Sequence, residues 1–159
     1  MKRRDFIKTS AGTGIVLCTC SLGLGLGSCA AITGNSSTPD APAGSYSFEE
    51  NKLILDLAKI PELKKSGYSV KIEDDEKFSK TLKIIIAHTE NGDYLAYENR
   101  CTHGGREIEY IGSEKKFQCI SFGHSSFTLD GKVISGPADS PLNKYELEQK
   151  DEKLMIYLV

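Results

Sequence analysis

Beyond its N-terminus this chain has no cluster of lysine and arginine. Its 159 residues hold 20 basic and 22 acidic side chains, a formal net charge of -2, so it presents no electrostatic footprint for nucleic acid. Cysteine is scarce where a fold could use it. Cys18, Cys20 and Cys29 lie near the N-terminus and only Cys101 and Cys119 follow. That excludes a disulfide scaffold, although the last two could close one disulfide in an oxidising compartment. Helix is nearly missing from the pattern: the one candidate covers residues 60–65, opened by Pro61 and closed by Gly67. No internal repeat is evident. Histidine is limited to three positions, so where they fall carries information.

Residues 1–34 read as a targeting segment rather than part of a fold. A basic start, Lys2, Arg3 and Arg4, precedes an apolar stretch over residues 15–32 broken by glycines. Arg3-Arg4-Asp5-Phe6-Ile7-Lys8 resembles the twin-arginine export signal, in which paired arginines are followed by Phe and Lys at these spacings. The resemblance implies export of an already folded protein across the cytoplasmic membrane, to a periplasmic or membrane-anchored location. Leu26-Gly27-Ser28-Cys29 resembles a lipobox, which would make Cys29 a lipidation site. Cleavage among the small residues 28–31, or retention of the apolar stretch as an anchor, are the alternatives. Residues 35–47, rich in Gly, Ser, Pro and Thr, read as a flexible tether. Residues 48–159 then make one domain, of a size that a metal centre tying distant loops together would help to stabilise.

Within that domain, runs of strand-forming residues follow one another at close spacing: 53–57, 68–72, 82–87, 94–97, 107–111, 117–120, 132–134, 145–148 and 154–158. Turn residues separate several of them, as at Glu90-Asn91-Gly92-Asp93 and Asp130-Gly131. The pattern predicts an all-β domain.

Each late cysteine has a histidine close by. Cys101-Thr102-His103-Gly104-Gly105 and Cys119-Ile120-Ser121-Phe122-Gly123-His124-Ser125-Ser126-Phe127 each supply one thiolate and one imidazole. His88 stands apart in a strand-like run and reads as an ordinary strand-end histidine. The donors Cys101, His103, Cys119 and His124 suit two kinds of centre. One is tetrahedral zinc; the other is an iron–sulfur cluster in which two cysteines hold one iron and two histidines the other. The cluster needs one ligand of each kind from each loop, and C-x-H spacing lets two side chains reach different irons. The glycines after each pair permit tight turns.

The residues that follow carry a family resemblance. Phe127-Thr128-Leu129-Asp130-Gly131-Lys132-Val133-Ile134-Ser135-Gly136-Pro137-Ala138, then Pro141, Leu142 and Tyr145, resemble the Rieske [2Fe-2S] family. Its members typically read F-D-x-x-G-x-V-x-x-G-P-A, followed by P-L and a tyrosine. The resemblance implies an antiparallel β-sandwich with a small cluster-binding subdomain. It also implies one [2Fe-2S] cluster per chain, held by Cys101, His103, Cys119 and His124, and supporting positions at Gly104, Gly105, Ser125, Ser126, Gly136 and Pro137. One-electron transfer is the implied activity. Nothing outside the two loops forms a nucleophile with its base, or a mononuclear iron site of two histidines and a carboxylate, so catalysis by this chain alone is not expected. The implied partner is a redox protein: a cytochrome, a quinol-oxidising membrane complex, or the large subunit of an oxidoreductase.

Two departures from the family pattern bear on the chemistry. The second motif is normally C-x-x-H, whereas here Phe122 holds that position and the histidine comes at C-x4-H. The cysteine pair that cross-links the two loops in quinol-oxidising members is absent, with Arg106 or a near neighbour and Ser121 in its place. Phe127 also replaces the tyrosine that commonly donates a hydrogen bond to a ligand cysteine, leaving Ser125 or Ser126 as the hydroxyls able to bond a cluster sulfur. Fewer donors to sulfur leave the reduced centre less stabilised, so a potential below that of quinol-oxidising members is expected. The altered spacing keeps two alternatives open, a Cys2His2 zinc site and a metal-free exported β-domain.

Overall fold

The computed structural model of the protein describes residues 36–74 and 81–158. The export signal, Cys29 and the first residue of the tether lie outside them. In chain order the described strands are β1 (Tyr46–Glu49), β2 (Lys52–Asp56), β3 (Ser69–Asp74), β4 (Leu82–His88), β5 (Tyr94–Glu98) and β6 (Ile108–Ile111), then β7 (Lys116–Cys119), β8 (Ser126–Phe127), β9 (Val133–Ser135), β10 (Lys144–Lys150) and β11 (Lys153–Tyr157). The domain is all-β, as the alternation predicts. Seven strands pair antiparallel in the order β1-β2-β11-β10-β5-β4-β3, and four make a smaller sheet, β6-β7-β8-β9.

Alternation along the strands explains how the larger sheet packs. Leu53 and Leu55 of β2 stand opposite Ile156 and Leu154 of β11, and Val70 and Ile72 of β3 stand opposite Ile86 and Ile84 of β4. These eight side chains share one buried core. Strand β10 joins the two halves: Lys144 and Tyr145 pair with β5, while residues 146–150 pair with β11. The sheet therefore turns across β10 and both halves cover the same core, which is how a single sheet becomes a sandwich.

Strand β4 breaks the alternation, and the reason is positional. Ile84, Ile85, Ile86 and Ala87 are all buried. Ile84 and Ile86 enter the first core, whereas Ile85 and Ala87 enter a second one with Tyr97, Cys101, Ile108, Phe117, Cys119 and Phe127. A strand covered on both faces reads as an unbroken apolar run. The small sheet thus sits on the reverse face of β4 and β5, and the two late cysteines belong to its core.

Charge fixes the same junction at its edge. Glu107, just before β6, takes Lys71 of β3 at 3.0 Å and lies 3.8 Å from Lys83 of β4. Burial of the Lys71 ammonium by itself lowers its pKa, but the hydrogen bond and charge of Glu107, with the charges of Asp40 and Glu73, outweigh it and the net shift is upward.

Some elements differ from expectation. Strands β1 and β8 are absent from the sequence reading, because β1 lies at the end of a Pro- and Gly-rich stretch and β8 is only two residues long. The helix candidate at 60–65 is a single 3-10 turn, Pro61–Lys64, preceded by another at Leu57–Lys59. One turn this short forms few intrahelical bonds and leans on Leu57, Ile60 and Leu63 in the core. The described part of the expected tether is also held in place. Ala41 N–H donates to Lys71 O, Lys71 N–H donates to Pro39 O, and Ser37 N–H donates to Glu109.

Tyr97 lies at the junction of β5 with the small sheet. Its hydroxyl donates to Leu129 O at 2.6 Å, and burial pushes its pKa up from 10.0 to about 12, with Asp130 adding to the shift. Tyr97→Phe should lose about 1 kcal/mol at neutral pH, since the Leu129 carbonyl is left without its donor. The pH dependence has a definite sign. With the folded pKa raised, the stabilisation is complete below the unfolded value and is lost as pH rises through the folded one. The wild type should therefore lose its advantage over the variant between pH 10 and about 12, as read by urea unfolding at stepped pH. A gap between the two that stays constant across that window would contradict the buried phenol.

Candidate functional site

Three loops meet at the end of the small sheet. The first, between β5 and β6, carries Cys101 and His103. The second, between β7 and β8, carries His124 directly after Cys119 closes β7. The third, between β9 and β10, carries Gly136, Pro137 and Ala138. Hydrogen bonds hold each to the others. Ile120 N–H donates to Glu107 O at 3.1 Å, Thr102 Oγ1 donates to Ser140 O at 2.7 Å, and Ala138 N–H donates to Ser125 Oγ at 3.1 Å.

The first loop is a compact turn. Cys101 N–H donates to Arg106 O at 2.6 Å, and Gly105 N–H returns to Cys101 O at 2.8 Å. Gly105 reaches this with φ +69°, a conformation glycine adopts without strain. Asn99 accepts the Ile108 N–H on its Oδ1 at 2.9 Å, which anchors the start of β6. Cys101 is buried, while His103, Gly104, Gly105 and Arg106 are exposed.

The second loop accounts for the unusual spacing. Ser121 O accepts from His124 N–H at 3.1 Å, closing a four-residue turn whose third member, Gly123, has φ +108°. Positive φ at that position is what a type II turn requires. Phe122 sits at the corner of this turn, fully exposed. His124 itself has φ +40°, an uncommon conformation for a residue with a side chain. The turn brings its imidazole back along the chain, with Nδ1 3.3 Å from Cys119 O.

Both thiols are free and buried, at 3% exposure for Cys101 and 1% for Cys119. Burial raises the pKa of Cys119, the hydroxyl and N–H of Ser121 lower it, and the adjacent Cys101 thiol raises it again; the net shift is upward. The two sulfurs therefore interact directly. Ser121 Oγ lies 3.0 Å from Cys119 Sγ and Ser121 N–H points to the same sulfur at 3.5 Å. In sequence Ser121 stands out only as the place of an absent cysteine, and its contact with sulfur emerges from the fold. A hydroxyl two residues beyond Cys119 is the signal the sequence offers.

Of the supporting positions, Ser125 is fully buried and bridges to the third loop through Ala138. Ser126 belongs to β8, opposite Gln118 and Ser135. Pro137 lies against Gly123. Gly136 has φ +95°, and a Cβ there would stand 2.5 Å from Ser125 Cα. His88 is outside the site: its Nδ1 is 3.1 Å from Leu63 O and its ring stacks on Tyr94.

A model of the Rieske [2Fe-2S] domain matches residues 55–146, and the chain belongs to that family. Among curated proteins, the iron-sulfur subunit of the cytochrome b6-f complex of Chlorobaculum tepidum is 30% identical over 80 residues, half of this chain and 42% of that subunit. The ferredoxin subunit of a 3-phenylpropionate/cinnamic acid dioxygenase from Photorhabdus laumondii is 29% identical over 82 residues, 50% of this chain and 77% of that one. This chain therefore spans less than half the length of the b6-f subunit it matches. Among solved structures, the complex of oxygenase and ferredoxin in carbazole 1,9a-dioxygenase superposes with a TM-score of 0.55 over 69% of this chain and 94% of that one, at 18% identity. That likeness is one of fold.

The family implies a [2Fe-2S] cluster, and the residues present fit it. Two thiols lie side by side in the core, and the same two loops each carry an exposed imidazole. Among the described residues, no three His, Cys, Asp or Glu side chains gather as a single metal ion would require. Donors divided between two irons need not do so.

Gly136→Ala tests whether the third loop holds the second. The new methyl meets the Ser125 backbone, and the left-handed φ adds strain. The variant should be destabilised by about 2 kcal/mol or more and should lose its metal faster to a chelator. An unchanged melting temperature together with unchanged chelator resistance would show that the loops are independent.

Proposed function

We propose that this protein is an exported one-electron carrier whose Rieske [2Fe-2S] cluster is held by Cys101, His103, Cys119 and His124. The observation that carries the ligand set is the turn over residues 121–124. It returns His124 to the main chain of Cys119 despite the longer spacing, and leaves Phe122 pointing to solvent. When bound, the cluster supplies one-electron oxidation and reduction, with imidazole ligation placing its potential above that of all-cysteine clusters.

The chain's own residues divide the remaining work. Burial of Cys101 and Cys119 keeps water from the thiolates. His103 and His124 stand at the exposed end of the domain, where a redox partner can approach. His124 Nδ1 lies 3.3 Å from Cys119 O, a contact that holds the ring beside the main chain of Cys119.

The Arg3-Arg4 signal supports export by the twin-arginine route. The mature protein would then work in the periplasm, free or anchored through its apolar stretch or through lipid on Cys29. Residues 48–159 form the Rieske domain, reached by a linking segment over 35–47. The partner is another redox protein: a cytochrome, a quinol-oxidising complex or the large subunit of an oxidoreductase. Likeness to a b6-f iron-sulfur subunit and to a dioxygenase ferredoxin subunit supports electron transfer in both settings, and export favours the first.

The test begins with iron and acid-labile sulfide after anaerobic purification, where two of each per chain are expected for one [2Fe-2S] cluster. Zinc without sulfide, or a metal-free chain after reconstitution, would sink the proposal. His124→Ala should then abolish the Rieske electron paramagnetic resonance spectrum; an unaltered spectrum would show that another residue is the fourth ligand. The wild-type reduction potential is expected below that of quinol-oxidising members.

A further inference from the structure

We infer that Ser121 raises the reduction potential of the centre by donating its hydroxyl hydrogen bond to Cys119 Sγ. The contact is 3.0 Å, and the N–H of the same residue reaches the same sulfur at 3.5 Å. A thiolate bound to iron has lone pairs and no proton, so the direction of both hydrogen bonds is set: Ser121 gives and Cys119 receives. Reduction adds one electron to the centre and increases the negative charge on its sulfur ligands. A donor aimed at one of those sulfurs stabilises the reduced form more than the oxidised one, and the potential rises. Ser121 is half-buried beside a core thiol, where a hydrogen bond is screened less than in open water.

The turn makes this contact possible. Ser121 is the first residue of the four-residue turn that ends at His124, so its backbone is fixed at both ends and its side chain stays over the sulfur. Phe127 has no hydroxyl to offer, and it is fully buried in the core between the sheets. Ser121 thus offers Cys119 a hydroxyl donor from within the same loop, two residues beyond it in sequence, where Phe127 offers none. It is a tuning residue that acts through the ligand and binds no metal itself.

The inference rests on the cluster reading given above. The experiment is an equilibrium redox titration of the purified full chain, followed by electron paramagnetic resonance, on wild type, Ser121→Ala and Ser121→Thr. The alanine variant should titrate at a lower potential with iron content and spectrum retained, and the threonine variant should stay near wild type because it keeps the hydroxyl. If Ser121→Ala does not hold its cluster, Ser121→Thr against Ser121→Val makes the same comparison at nearly constant volume, with the lower potential expected for valine. Equal potentials in either pair of cluster-loaded proteins would overturn the inference. A wild type without a Rieske spectrum would overturn the cluster reading itself, and this inference with it.

Discussion

The two cysteines proposed to hold the cluster are first of all core residues. Cys119 ends β7 with its side chain in the same cluster as Phe117, Phe127, Tyr97 and Ile108, and Cys101 enters that cluster from the loop after β5. Their sulfurs are thereby placed by hydrophobic packing, which is stiff because interiors are close-packed. Packing also isolates them from water, which raises the pKa of Cys119 and makes the protonated thiol the resting form without metal. Metal binding must displace those protons, so it couples to pH and to folding at once. The histidines differ in kind: both are exposed, positioned by turns rather than by a core.

That division explains how much the sequence could reveal. The strands of the larger sheet stand out because their alternation follows directly from burial on one face, and the run of residues 84–87 stands out because both faces are covered. Cys101, Cys119 and their neighbouring histidines are legible as residue types in a pattern. The paths of the loops are not. Whether the residue after a cysteine pair folds back or extends depends on a few dihedral angles, such as φ +108° at Gly123 and φ +40° at His124. No periodicity encodes those. Nor does any encode the part of Ser121, whose contact with sulfur exists only once the turn is closed. Strand β8 escaped notice because pairing with β7 and β9, not its own two residues, defines it.

The junction between the two sheets joins packing to charge. Ile85 and Ala87 meet the small sheet from below, while Glu107 is gripped by Lys71 and Lys83 at the edge. Glu107 is only partly exposed, so its ion pairs are screened less than surface ones, yet its backbone has the larger structural part. The carbonyl of Glu107 accepts from Ile120 and that of Arg106 accepts from Cys101. Two adjacent residues therefore hold the starts of the loops that carry Cys101 and His124, and their own position is set by strands β3 and β4 of the larger sheet. The small sheet is in this sense fastened to the larger one at the point where it carries the site.

The second loop contains the chain's clearest compromise. A histidine at positive φ costs of order 1 kcal/mol, and a fully exposed phenylalanine gains nothing from burial. Neither would persist as a packing solution, since Ser125 and Phe127 immediately beyond are completely buried and well placed. What the strained turn does achieve is local. It returns the chain in time for Ser125 O to accept from Cys119 N–H at 2.8 Å, and it brings the Ser121 hydroxyl to the sulfur of Cys119 and the His124 ring to its carbonyl. A strained turn that arranges polar groups around a buried thiol is better explained by the ligand that thiol receives than by the stability of the fold alone.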